Sequence, residues 1–163
     1  MSSDFNKDAL LRSAKRINVS YFKEQQEDAI NAIWQWWQSQ SISFTLSGYA
    51  GTGKTFIMRH LVRYLIVEKV CVTAPTHKAL RVLENSSGKK GMTIQSLCGL
   101  RPDVDIEDYN IENPSFKVIG EQKMRGYRLV IIDECSMINP GLFTLLVKTA
   151  IQCRCKLLFL GEM

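Results

Sequence analysis

Histidine is scarce in this chain: His60 and His77 are the only two. The five cysteines are an odd number, and only Cys153 and Cys155 stand close together, while Cys71, Cys98 and Cys135 are scattered. A structural zinc centre takes four such ligands, usually as two close pairs. That shortage excludes one, and it leaves the thiols as buried free cysteines of a reducing compartment. Long apolar runs are also missing. Nothing approaches the roughly 18 consecutive apolar residues of a membrane span, and Met1 to Asp8 carries two acidic residues where a secretion signal needs an apolar core. No membrane partner is expected, and a cytoplasmic protein of the cell interior is. Internal repeats and low-complexity tracts are absent too.

What remains is an ordinary globular composition: 163 residues, 45% hydrophobic and 23% charged, enough for one domain with a real core. The net charge of +5 suits a polyanionic partner. The basic residues are scattered, however, and a solvated surface fits them equally well.

Against this background one run stands out. Gly48-Tyr49-Ala50-Gly51-Thr52-Gly53-Lys54-Thr55 fills every fixed position of the G-x-x-x-x-G-K-[ST] loop. Its glycines let the backbone wrap closely around phosphate oxygens with successive N–H groups pointing inward. Lys54 then reaches the β- and γ-phosphates of ATP and the Thr55 hydroxyl holds Mg²⁺. The context is right. Ile42 to Ser47 is a β-branched and aromatic run that reads as an interior strand. From Lys54 onward, Ile57, Leu61, Tyr64 and Leu65 recur at helical spacing, so the helix start points its partial positive charge at the phosphates.

A second signal lies further along. Leu129 to Ile132 is an apolar strand that ends in Asp133 and Glu134. A nucleotide-hydrolysing loop domain needs carboxylates at such a strand end beside the loop, Asp133 for Mg²⁺ and its waters. Glu134 points elsewhere, to orient and deprotonate the attacking water. The pair argues against a small-molecule kinase, where an acceptor hydroxyl replaces water.

Elsewhere the chain alternates strands and helices. Tyr21 to about Gln38 reads as a helix with a stripe of Ala29, Ile30, Ile33, Trp34 and Trp37, which leaves Trp36 as the exposed tryptophan. Lys69 to Ala74 is a strand, Lys78 to about Asn85 a helix, and a short strand or turn starts at Met92. Pro140 to Ala150 is a helix and Lys156 to Leu160 a last strand. This order predicts an α/β fold, a P-loop NTPase with a parallel sheet and helices on both faces. Residues 101–126 are polar, contain Pro102 and Pro114 and lack a long apolar period. They read as an inserted loop or small hairpin subdomain.

Four stretches together resemble the first RecA-like domain of superfamily one DNA helicases of the RecD type: Gly48 to Thr55, Ala74 to Ala79, Thr93 to Leu97, and Asp133 to Met137. The resemblance covers about residues 20 to 163, with 1–20 as an N-terminal extension, and implies further roles by position. Gln26 recognises adenine, with Gln25 the competing choice; Pro75, Thr76, His77, Lys78, Thr93 and Gln95 contact single-stranded DNA. Gln95 stands where relatives often carry His, and Phe116 of the insert, as part of a duplex-splitting pin, stacks on a base. ATP and Mg²⁺ are the implied cofactors. The implied partners are single-stranded DNA, a second RecA-like domain of the same protein that supplies arginines to the γ-phosphate, and a single-stranded-DNA-binding protein or replisome components. Gly161-Glu162-Met163 departs from the family's Gly-Asp-x-x-Gln, so the expectation is a fragment of a longer 5′-to-3′ helicase, weak or inactive in ATP hydrolysis by itself. A stand-alone ATPase switch or nucleic-acid-binding module completed by another subunit stays open beside it.

Overall fold

The computed structural model describes residues 24–64, 69–101, 106–110, 112–113 and 117–162. The expected N-terminal extension lies outside them. Helix α1 (Glu24–Gln38) leads into strand β1 (Ser43–Ser47) and helix α2 (Lys54–Tyr64). Strand β2 (Val70–Ala74), helix α3 (His77–Ser87), strand β3 (Gly91–Thr93) and the short helix α4 (Ile94–Cys98) follow. Strand β4 (Leu129–Ile132), helix α5 (Pro140–Cys153) and strand β5 (Lys156–Gly161) complete the order.

The strands form one sheet in the order β1-β5-β4-β2-β3, every pairing parallel. Side chains alternate across a strand, and here both faces are apolar. Val70, Val72, Leu129, Ile131, Leu158 and Leu160 pack with α1, α2 and α3. Cys71, Val130, Ile132, Leu157 and Phe159 pack with α4 and α5 on the other side. Burial on both faces is why β2 and β4 read as continuous apolar runs.

Helix boundaries follow from capping. Thr76 accepts from the Ala79 N–H (3.2 Å) and Gly88, at φ 69°, closes α3. Asn139 accepts from the Leu142 N–H (2.9 Å) ahead of Pro140, the first residue of α5, where a missing N–H costs nothing. At and just past the end of α1 three carbonyls meet a cation. The Lys156 ammonium donates to Trp36 O (3.0 Å), Ser39 O (2.8 Å) and Ser41 O (2.7 Å), tying the helix to β5.

Two expectations change. Trp36 is buried, because the end of α1 lies over the sheet. Its ring meets Trp37 (6.2 Å) and Phe44 (5.7 Å), with the Lys156 ammonium 5.0 Å from its centroid. β1 lies at an edge of the five strands, with Thr45 and Ser47 exposed, since the returning chain places β5 on its inner side only. The described part of residues 101–126 holds two 3-10 turns, Ile106–Asp108 and Lys123–Gly126, and carries no strand. Ile106, Tyr109 and Met124 bury themselves in the second core, so this segment is packed on the domain.

Candidate nucleotide-binding cleft

All five strands point their carboxyl ends the same way, and in open parallel sheets that rim is where ligands bind. The loop after β1 is shaped by glycine. Gly51 (φ 77°) and Gly53 (φ 92°) adopt backbone conformations that L side chains rarely take. Thr52 closes the turn by donating its hydroxyl to Tyr49 O (2.9 Å). The Lys54 ammonium lies across the loop and donates to Gly48 O (2.5 Å) and Tyr49 O (2.9 Å).

Gln26, on the first turn of α1, is the glutamine that meets this loop. Its amide nitrogen donates to Thr52 O (3.1 Å), and its Oε1 is buried without a hydrogen-bond partner. A side chain on Gly53 would meet the Gln26 amide and push it aside, and the φ of 92° disfavours any residue but glycine there. Gln25 is exposed.

The carboxylates reach the loop from two strands away. β5 stands between β1 and β4, where the sequence placed the β4 end directly beside the loop. Gly161 makes the span workable. Its carbonyl accepts from the Gly48 N–H (3.3 Å), and its bare Cα lets the Cys135 sulfur and the Cys135–Met137 turn close over the end of β5. A side chain at Gly161 would collide with that sulfur.

Asp133 continues β4, its N–H donating to Thr73 O (3.0 Å), and its Oδ1 accepts from the Glu134 N–H (2.9 Å). Glu134 then takes the left-handed conformation, φ 53° and ψ 44°, which is uncommon outside glycine. The turn splays two consecutive carboxylates: Asp133 stays half-buried and Glu134 is exposed. Together with the loop they line an open cleft of about 740 Å³.

Gly51, Gly53, Lys54, Thr55, Asp133 and Glu134 meet in that cleft; so does Ala50. Gly48, Tyr49 and Thr52 belong to the loop but do not line the cleft. Phe56, Arg59, Ser136, Met137, Gly161 and Glu162 also line it, of which Phe56 and Arg59 went unnoticed in the sequence. Arg59 was within reach, standing four residues after Thr55 and hence on the same face of α2. The thiol of Cys135 is pushed up from its ordinary value by burial; the Asp133 charge adds to this and Lys54 opposes it. It stays protonated at neutral pH.

Oxygen donors from Thr55 and Asp133 on opposite walls suit a hard cation that keeps several waters, as Mg²⁺ does. Among the described residues no cluster of three His, Cys, Asp or Glu could hold another metal, and no helix is long and apolar enough to cross a membrane.

The residues expected to touch DNA form a second group on the same rim, outside the cleft. Ala74 and Thr93 are register partners, so the chain leaves β2 and β3 side by side. Pro75 is buried, whereas Thr76, His77 and Lys78 are exposed at the start of α3. Thr93 caps α4, accepting from the Ser96 N–H (3.3 Å), and Gln95 is half-buried. The oxygens of Thr76 and Thr93 are thus engaged as helix caps, a task that reads the same in sequence as a phosphate contact. Phe116 lies outside the described residues.

A family model described as an AAA domain matches residues 21–163. The chain belongs to that AAA-domain family. Among curated proteins it is similar to the ATP-dependent DNA helicase dda of Enterobacteria phage T4, 32% identical over 142 residues, covering 85% of this chain and 31% of that protein. It is also similar to an uncharacterized protein of Acanthamoeba polyphaga mimivirus, 34% identical over 136 residues, covering 73% and 28%. The ATP-dependent DNA helicase Pif1 of Psychrobacter sp. (strain PRwf-1) is 27% identical over 94 residues, covering 58% of this chain and 14% of that protein. Among solved structures, Bacteroides sp Pif1 in complex with ADP-AlF4 superposes with a TM-score of 0.57 at 22% identity, covering 86% of this chain and 32% of that one. That likeness bears out the RecA-like parallel sheet. The helicase resemblance carried by the four motifs is borne out as well. The chain spans about a third or less of the length of these relatives.

Proposed function

We propose that this AAA domain is the ATP-binding and hydrolysing motor domain of a DNA helicase. The observation that carries the reading is the cleft, which brings Lys54, Thr55, Asp133 and Glu134 to one place from opposite walls. Backbone N–H groups of the loop and the start of α2 bind the phosphates, and Lys54 exchanges its two carbonyl partners for the β- and γ-oxygens. Thr55 and Asp133 hold Mg²⁺, which when bound neutralises charge on the transferred phosphoryl group. Glu134, exposed at its left-handed turn, takes the proton of the attacking water. Gln26 offers a buried, unpartnered acceptor beside Gly53, which suits the donor edge of adenine.

In the second group Thr76, His77, Lys78, Thr93 and Gln95 face single-stranded DNA beside the buried Pro75, with Phe116 added from the insert. Hydroxyl, N–H and ammonium groups there suit phosphate oxygens. In the longer protein a second RecA-like domain supplies the arginines for the γ-phosphate, worth on the order of 10³-fold or more in turnover. ATP-driven closure of the two domains then moves the protein 5′ to 3′ along the strand and unwinds duplex.

Steady-state ATPase and nucleotide-binding assays on Glu134→Gln test this reading. ATP affinity is retained and turnover falls by about 10²- to 10⁴-fold, the usual contribution of a general base. Equal and measurable kcat for variant and unsubstituted chain would refute the role of Glu134.

A further inference from the structure

The closing part of the insert, residues 117–126, is sewn to α4. Gly99 ends α4 in the left-handed conformation, and its carbonyl accepts from the N–H groups of Ile119 and Gly120, each at 3.0 Å. The two backbones lie so close that a side chain on Gly99 would run into the Gly120 carbonyl. A few residues on, Met124 is fully buried in the second core. Between these anchors Lys123 reaches back and donates from its ammonium to the Ser96 hydroxyl at 3.2 Å.

Ser96 follows Thr93 by three residues, and Thr93 is the register partner of Ala74. The Lys123 ammonium therefore lies one helical turn from the β3 end, on the sheet face opposite α3, while Thr76, His77 and Lys78 stand at the neighbouring β2 end. Val118 and Ile119, in the same segment, are exposed, Ile119 at 66%. Residues 117–126 carry three cations, Lys117, Lys123 and Arg125, against a single carboxylate, Glu121.

We infer that Val118–Lys123 forms a second wall of the single-strand nucleic-acid track. Lys123 and Ser96 grip a backbone phosphate, and Ile119 gives apolar surface to the adjoining sugar or base. The inference rests on the nucleic-acid reading of the β2 and β3 ends. A free lysine loses rotamer entropy when it grips a ligand, and much of that cost is already met here by the anchored backbone and the Ser96 bond. A cation beside an apolar side chain also suits a nucleotide unit, which presents both a charge and a flat apolar face.

The test is fluorescence anisotropy of a labelled oligothymidine with the 163-residue chain across a series of salt concentrations. Lys123→Gln keeps a donor for Ser96 and removes the charge. It lowers the slope of log affinity against log salt by about 0.7, the value for one lost single-strand phosphate contact. Ile119→Ser weakens binding at every salt concentration and leaves the slope unchanged. Lys69→Ala, at the opposite end of the sheet, changes neither. An unchanged slope for Lys123→Gln, while Lys78→Ala lowers it, overturns this inference and spares the nucleic-acid reading. No binding by the unsubstituted chain at low salt overturns both.

Discussion

The nucleotide cleft and the β2–β3 rim share one edge of one sheet, yet they are made by different means. The cleft is made by backbone: Gly51 and Gly53 at positive φ, Glu134 in the left-handed conformation, and Gly161 bare enough for Cys135 to close over it. The rim is made by side chains standing on ordinary capped helices, with Thr76 and Thr93 as the caps. A site made of backbone has few tolerated substitutions and a local sequence signature. One made of exposed side chains is assembled from separable contributions that look like surface.

The contrast breaks most sharply at Gly161. Gly161→Ala forces the Cys135–Met137 turn off the end of β5, at about 1–3 kcal/mol for overpacking, and moves Asp133 and Glu134 out of place. Turnover is lost while oligothymidine affinity holds. Cys135→Ala removes the colliding sulfur, so the double variant regains most of the lost stability in urea unfolding. If it does not, contact with Cys135 is not what fixes the turn.

On the rim the expected effects are smaller and separable. Thr76→Ala and Thr93→Ala each cost about 1 kcal/mol through the lost cap, while Thr→Ser at either position keeps the cap. Lys78→Ala leaves stability alone and lowers only nucleic-acid affinity. Thermal unfolding beside anisotropy separates the two classes, and a Lys78 variant that loses stability would erase the distinction.

The core behind the rim responds only at alkaline pH. Burial pushes the thiol of Cys71 up to about 11, and those of Cys98 and Cys155 to about 12, from an ordinary value of 9.0. In the unfolded chain these thiols ionise near pH 9; in the folded chain they stay protonated. Their contribution is therefore complete below pH 9 and is lost as pH rises toward 11 to 12. Urea midpoints measured on either side of pH 9 read this loss, and Cys98→Ala makes it shallower.

The same contrast explains what was legible in the sequence. The loop from Gly48 to Thr55 and the Asp133-Glu134 pair could be read because each is contiguous and its chemistry fixes its residue types. That Gln26 and not Gln25 meets the loop depends on the rotation of α1 about its axis. The burial of Trp36 depends on Phe44 and on Lys156, which lies far along the chain. Strand order is likewise tertiary, so the intrusion of β5 between the loop and the carboxylates could not be seen. The described part of the insert gave no period because 3-10 turns are too short to have one, and it is held by tertiary contacts, among them Ile106, Tyr109 and Met124 in the second core and Lys123 on Ser96.

The central claim is that Lys54, Thr55 and Asp133 form one Mg²⁺-nucleotide site across that intervening strand. Calorimetric titration of ATP into the chain, with Mg²⁺ and with chelator, tests it most directly beside Asp133→Ala. The account predicts that Mg²⁺ tightens binding to the unsubstituted chain by about tenfold or more, some 1.4 kcal/mol, and that Asp133→Ala abolishes the Mg²⁺ dependence while binding in chelator is unchanged. Equal Mg²⁺ dependence in the two proteins would contradict it.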